Sequence, residues 1–153
     1  MNLLKLLFGS LFSKKQTKTL IDSKLGKLTN EYEPKDQFFF WNGEINPKGK
    51  NKEKTQFTID GDINSPYPAS LQKAYEVLDR LEMLTYDVQK ALDSKFPEKG
   101  INLSRDFNFQ QISFFADEET GCTDFDFEYF TEDASIMVSV EFVNNKIDLI
   151  EFY

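Results

Sequence analysis

The sequence contains no histidine and only one cysteine, Cys122. Without histidine, the chain lacks the side chain that most often acts as a general base or zinc ligand near neutral pH. A single cysteine cannot form a disulfide within the chain, and the carboxylates beside Cys122 disfavour its reactive thiolate. No glycine-rich phosphate loop, nucleophile elbow or zinc spacing is present. These absences predict a protein that is not an enzyme, with no catalytic residue, no metal and no cofactor.

One short segment begins like a calcium loop. Asp60, Asp62 and Asn64 occupy alternate positions, as the first oxygen ligands of such a loop do. However, Ser65 and Leu71 stand where the loop needs a glycine and a closing glutamate. We therefore interpret the segment as a turn that leads into a helix.

The sequence also lacks an apolar run long enough to cross a bilayer. Its most apolar stretch, at positions 3–12, is interrupted by Lys5 and followed by Lys14 and Lys15. Residues 1–15 could lie on a membrane surface with the lysines facing anionic headgroups. We favour a helix docked on the domain or a frayed tail, and a cleaved signal peptide is disfavoured because no small-residue cleavage site follows. Residues 1–23 are thus predicted to be an amphipathic segment and a linker.

Aromatic residues are abundant: the 153 residues include 16 Phe, 6 Tyr and 1 Trp. This supply, at a length typical of one domain, predicts a single packed core, which we place in residues 24–153. A lone cysteine suits a reducing compartment, so we expect a cytoplasmic protein, peripheral to the inner membrane if residues 1–15 bind lipid. The sequence leaves the oligomeric state open.

Charge is distributed unevenly along the chain. Residues 1–54 hold 11 Lys and 6 acidic residues, a net charge of +5, whereas residues 101–153 hold 2 basic residues and 12 carboxylates, a net charge of −10. An acidic segment of this density repels phosphate backbones and attracts basic surfaces. We therefore expect no nucleic-acid binding and favour a basic protein partner.

Periodicity predicts an α+β fold. An N-terminal β-meander is expected from a short strand near Leu25 and Leu28, a strand at 37–46, a lysine-rich hairpin loop at 47–54 and a strand at 55–60. Apolar residues spaced three and four apart then predict one long helix over 68–96, capped by Ser65 and kinked near Thr85 and Tyr86. Alternating residues predict a C-terminal four-stranded antiparallel meander at 107–116, 123–132, 135–143 and 146–152, on which the helix packs.

The acidic and aromatic residues of the third-to-last strand fall on opposite faces. Because a strand has a two-residue period, Asp124, Asp126 and Glu128 point away from the aromatic residues between them. A solvated face that discourages edge aggregation is favoured over paired carboxylates for acid/base catalysis or metal binding, and a docking surface for a cationic partner is the intermediate interpretation. The candidate partner-binding residues are Asp117, Glu118, Glu119, Asp124, Asp126, Glu128, Glu132 and Asp133.

The order of elements resembles small bacterial families of unknown function that include immunity proteins of polymorphic or contact-dependent toxin systems. The resemblance covers residues 24–153 and rests on Trp41-Asn42-Gly43-Glu44-Ile45, on Ile59-Asp60-Gly61-Asp62, on a proline-initiated helix and on the C-terminal IDLIEFY. It implies an inhibitor that places acidic groups over the basic active site of one cognate toxin. It assigns no functional residue to this chain. The alternative hypothesis is a membrane-surface accessory protein anchored by residues 1–15.

Overall fold

A computed structural model of the protein describes residues 17–33, 38–46, 54–116 and 123–153. These residues form an α+β fold with one eight-stranded mixed sheet. The strands are β1 (Thr19–Asp22), β2 (Gly26–Glu33), β3 (Phe38–Ile45), β4 (Thr55–Gly61), β5 (Phe107–Ala116), β6 (Thr123–Thr131), β7 (Met137–Val143) and β8 (Lys146–Phe152). The helices are α1 (Pro68–Asp79), α2 (Leu81–Lys95), a 3₁₀ turn (Pro97–Lys99) and α3 (Leu103–Asp106).

The strands lie in the sheet in their sequence order. All neighbours are antiparallel except β4 and β5, which are parallel. A parallel pair requires a crossover connection, which the helices between β4 and β5 supply. Side chains reinforce this pair: Thr55 Oγ1 donates to the Phe109 carbonyl at 2.7 Å, and Asp60 Oδ2 accepts from the Ala116 amide at 3.1 Å. The two predicted meanders are therefore halves of one continuous sheet.

The helices cover one face of this sheet. Buried residues recur along them with a spacing of three or four, as a helix that packs on a sheet requires. From the sheet, every second residue contributes to the same core, so Phe125, Phe127 and Tyr129 of β6 and Trp41 of β3 are buried. The largest fully buried side chains are Trp41, Phe57, Phe114, Phe125, Phe127 and Phe142.

The predicted long helix is instead two helices, divided at Arg80 rather than near Thr85 and Tyr86. The Arg80 amide donates to the Val77 carbonyl, which closes the last turn of α1, and the Leu84 amide donates to the Arg80 carbonyl. One straight helix over 68–96 would be about 43 Å long. The break at Arg80 lets both helices keep their apolar side on the sheet.

Two local predictions at the N-terminal side are wrong. Residues 19–22, which we assigned to a linker, form β1 and pair with residues 26–29 of β2. Their backbone groups find partners on β2 although Leu20 is the one residue of the strand that packs against the core, so the hydrophobic pattern did not show the strand. Ser65 does not cap α1: Tyr67 is the N-cap, with Pro68 at the first helical position, where its missing N–H costs nothing.

The hairpin between β7 and β8 is confirmed. Asn144 and Asn145 have φ angles of 52° and 62°, as the primed turn of a two-residue hairpin requires. The predicted loop residues 47–53, together with Cys122 and the segment 1–15, lie outside the described residues. Within the described part of the chain, no helix combines the length and apolar character needed to cross a membrane.

Candidate functional site

The face of the sheet opposite the helices carries the polar residues. No described element packs on this uncovered face. In the half formed by β3, β4 and β5, the polar side chains bond to one another: Thr58 Oγ1 donates to Asn42 Oδ1 at 3.0 Å, Gln111 Nε2 donates to Thr58 Oγ1 at 2.8 Å, and Glu44 is paired with Lys54. These hydrogen bonds leave little capacity for a partner in this half.

The other half, formed by β6, β7 and β8, is acidic. Asp126 lies opposite Glu141, and both Glu128 on β6 and Glu151 on β8 lie opposite Ser139 of β7. We call the half-buried residues Asp124, Asp126, Glu128, Glu141 and Glu151 the carboxylate face. None of them forms an ion pair with a residue that the structure describes.

The electrostatic cost of this arrangement is concentrated at Asp126. Its burial, together with the charges of Glu141, Glu128 and Asp124, raises its pKa to about 6. Burial also raises the pKa of Glu128. The Tyr153 hydroxyl donates a hydrogen bond to Glu151, and this bond raises the pKa of Tyr153. A positive charge placed here would stabilise the ionised carboxylates.

The structure brings together only part of the predicted set. Asp124, Asp126 and Glu128 belong to the carboxylate face, as their alternation indicated. Asp117, Glu118 and Glu119 lie outside the described residues. Glu132 and Asp133 are exposed in the turn between β6 and β7, so we no longer include them in the site.

Asp133 instead holds this turn together. Its Oδ1 accepts from the Thr131 hydroxyl at 2.7 Å, and from the hydroxyl and the amide of Ser135 at 2.7 and 3.1 Å. Because these bonds favour the ionised form, the pKa of Asp133 falls to about 2. Because Asp133 is close in sequence to the acidic strand, we predicted that it contacts a partner. In the structure, its carboxylate instead accepts hydrogen bonds within the turn.

Sequence reasoning missed Glu141 and Glu151. Both stand at polar positions of alternating strands, between Val140 and Phe142 and between Ile150 and Phe152. The asparagine hairpin would have placed β7 beside β8, but a bulge between Glu141 and Phe142 shifts the register by one residue, and only this shift puts Glu151 on the face of Asp126. The signal was therefore cross-strand pairing and not a local motif.

An apolar cleft of about 400 Å³ lies between the β1–β2 turn and the junction of α1 and α2. Leu25, Ile45, Leu78 and Phe109 contribute to its lining. At its edge, Lys24 Nζ lies 2.6 Å from Asp79 Oδ2. Lys24, the cation at the edge of the cleft, is thus paired with Asp79 within the protein. We therefore place the functional site on the carboxylate face and not in the cleft.

Neither a metal centre nor a calcium loop is found in the ranges that the structure describes. No group of three or more potential ligand residues is arranged around a common point there. Asp62 Oδ1 accepts from the amides of Asn64 and Ser65 at 2.6 and 3.0 Å, so this segment is a turn. Comparison with protein-family models, with curated proteins and with solved structures finds no match to this chain.

Proposed function

We propose that the protein is a non-enzymatic binding domain that holds a basic protein partner on the carboxylate face. The proposal rests on one observation: five half-buried carboxylates share a sheet face and form no ion pair within the described part of the chain. The four ion pairs of that part, by contrast, lie elsewhere. This concentration of unpaired charge on the sheet supports a role beyond solubility.

The free energy for binding would come partly from relief of repulsion. In the free protein, Asp126 is held between three other carboxylates in a half-buried position, where its charge is costly. Lysine or arginine side chains of a partner would offset that cost and form charge-assisted hydrogen bonds. Association should also be fast and should slow as salt screens the attraction.

We further propose that the partner is a cognate bacterial toxin and that the protein is its immunity protein. An inhibitor of this kind lays acidic groups over a basic active site, as the resemblance in element order implies. The net charge of −10 in residues 101–153 supports the same function independently. The alternative hypothesis, membrane contact through residues 1–15, concerns residues outside the described ranges and stays an alternative.

Co-expression with the product of the adjacent open reading frame tests this function. Bacterial growth is followed while that product is induced together with the wild-type protein or with a triple variant. The variant removes three charges of the carboxylate face by Asp126→Asn, Glu128→Gln and Glu141→Gln. Wild-type protein should restore growth, and the variant should not.

A matched control removes three carboxylates from the helical side of the molecule. It carries Glu82→Gln, Asp87→Asn and Glu98→Gln, all exposed residues. The control has the same net charge as the triple variant and should protect as the wild-type protein does. Equal protection by the two variants would refute a role for the carboxylate face, and an adjacent gene product that is not toxic would refute the immunity function.

A further inference from the structure

The uncovered face also carries an apolar row beside the carboxylates. Phe130 of β6 lies opposite Met137 of β7, and the Met137 and Tyr153 backbones exchange hydrogen bonds of 2.9 and 3.0 Å. Tyr129 and Val138, the adjacent residues of β6 and β7, point into the core, so these three side chains belong to the uncovered face. Tyr153 is 64% exposed, and Phe130 and Met137 are half-buried. We call Phe130, Met137 and Tyr153 the apolar row.

The face therefore changes character along the strands. The next row contains Glu128 and Glu151, and the row after it contains Asp126 and Glu141 together with the exposed Leu149 of β8. Successive rows are about 6.8 Å apart, because each is two residues further along a strand. One direction along β7 thus leads from apolar contact to two successive rows of negative charge.

The order of the apolar row and the two acidic rows determines which kind of molecule can bind this face. A second copy of the chain would bring carboxylates against carboxylates, and nucleic acid would bring phosphates, so like charges oppose both. On a helix, residues three and four apart lie on one side at a spacing of about 5–6 Å, which is close to the spacing of the rows. A helix with apolar residues on one turn and lysine or arginine on the next two turns is complementary to all three rows.

We infer, on the basis of the proposed function, that the partner contacts this face through an amphipathic cationic helix whose apolar turn packs on the apolar row. Its basic side chains then lie over Glu128, Glu151, Asp126 and Glu141. The helix lies along the strands, with its apolar turn towards the C-terminus of β6. The carboxylates attract the basic helix, and the apolar contact determines in which direction the helix runs along the strands.

Two synthetic helical peptides of identical composition test the inference with the full chain. The matched peptide carries leucines on one turn and lysines on the next two turns of the same side, and the permuted peptide carries the leucines on the opposite side. Affinities are measured by titration calorimetry. The matched peptide should bind about tenfold more tightly, since loss of a central apolar contact has effects of this size.

Variants locate the contact. Tyr153→Ser should abolish the preference for the matched peptide, whereas Tyr86→Ser, on a tyrosine of α2 that is likewise 64% exposed, should preserve it. Equal affinity of the two peptides would overturn the amphipathic helix and leave the charge-based function intact. Binding of neither peptide would also overturn it, whereas the growth assay decides the proposed function separately.

Two further measurements test whether the chain's own N-terminal segment or a second copy of the chain covers this face instead. If Lys5→Glu and Lys14→Glu in the full chain tighten binding of the matched peptide, the chain's own N-terminal segment competes for the face and the inference is overturned. A dimer that the matched peptide dissociates in sedimentation experiments would likewise overturn it. A monomer, together with unchanged affinity in the lysine variants, supports a helix from another protein.

Discussion

Asp126 and Glu141 lie directly opposite each other on β6 and β7, with both side chains on the uncovered face of the sheet. Like charges in this relation destabilise a sheet. No cation of the described residues forms an ion pair with either of them. Structural electrostatics therefore do not explain why the pair is present, whereas the proposed binding of a cationic partner would explain it.

This pair makes folding stability depend on pH. The pKa of Asp126 is about 6 in the folded protein, against about 3.9 for an unfolded aspartate. Between these two pH values the folded state keeps a proton that the unfolded state has lost, so stability falls as pH rises through 6. Urea unfolding at several pH values should show higher stability at pH 5 than at pH 8.

Replacing Asp126 by asparagine should remove much of this dependence. At pH 8 Asp126→Asn should increase the free energy of unfolding by about 1 kcal/mol, an amount reduced by the water that still reaches the carboxyl. Asp87→Asn, on an exposed carboxylate of α2, is the matched control and should leave the pH profile unchanged. Parallel profiles for Asp126→Asn and wild type would contradict the assignment of the titration to Asp126.

The turn between β6 and β7 contains backbone strain that a single substitution should relieve. Ala134 has a φ of 54°, a left-handed conformation that costs an alanine about 1 kcal/mol and costs glycine little. Ala134→Gly should therefore increase the free energy of unfolding by a few tenths to about 1 kcal/mol, less the backbone entropy that glycine loses. The control, Ala91→Gly within α2, should decrease it by about 1 kcal/mol. Denaturant unfolding measures both, and a loss of stability in Ala134→Gly would refute the strain.

The C-terminal strands could be predicted from sequence because one signal dominates there. Phe125, Phe127 and Tyr129 alternate with carboxylates, and Asn144-Asn145 is a specific turn signal. The break at Arg80 gave no such signal, since the apolar stripe of the helices continues through it. The parallel pairing of β4 with β5 was also hidden, because it depends on contacts between residues about fifty positions apart.

For a related reason, only part of the candidate site could be predicted from the sequence. Alternation along one strand placed Asp124, Asp126 and Glu128 on one face, and this part is confirmed. Glu141 and Glu151 join them only through pairing across β6, β7 and β8, which requires the register of each strand. For Asp133, the sequence did not show that its carboxylate accepts hydrogen bonds from neighbouring hydroxyls in the turn.

Close packing at Gly43 gives a further prediction. Gly43 lies opposite Phe57, and a Cβ added at position 43 would lie 2.3 Å from Phe57 Cζ. The Phe57 ring is fully buried and has little room to move. Gly43→Ala should decrease the free energy of unfolding by about 1–3 kcal/mol. If the clash is the cause, adding Gly43→Ala to a Phe57→Leu protein should cost much less; an equal cost in both backgrounds would point to another origin.

The buried Tyr129 hydroxyl has no hydrogen-bond partner among the residues that the structure describes, while its ring stacks on Phe109 with centroids 4.7 Å apart. Burial strongly raises the pKa of Tyr129, so the hydroxyl stays neutral but still loses its hydration. Tyr129→Phe keeps the stacked ring and removes the unsatisfied group, and it should increase the free energy of unfolding by up to about 1 kcal/mol. Tyr75→Phe is the matched control: the Tyr75 hydroxyl donates to Asp22 Oδ2 at 2.5 Å, so its loss should decrease stability by about 1–2 kcal/mol. Thermal and urea unfolding compare the two variants, and destabilisation by both would show that the Tyr129 hydroxyl has a partner in solution.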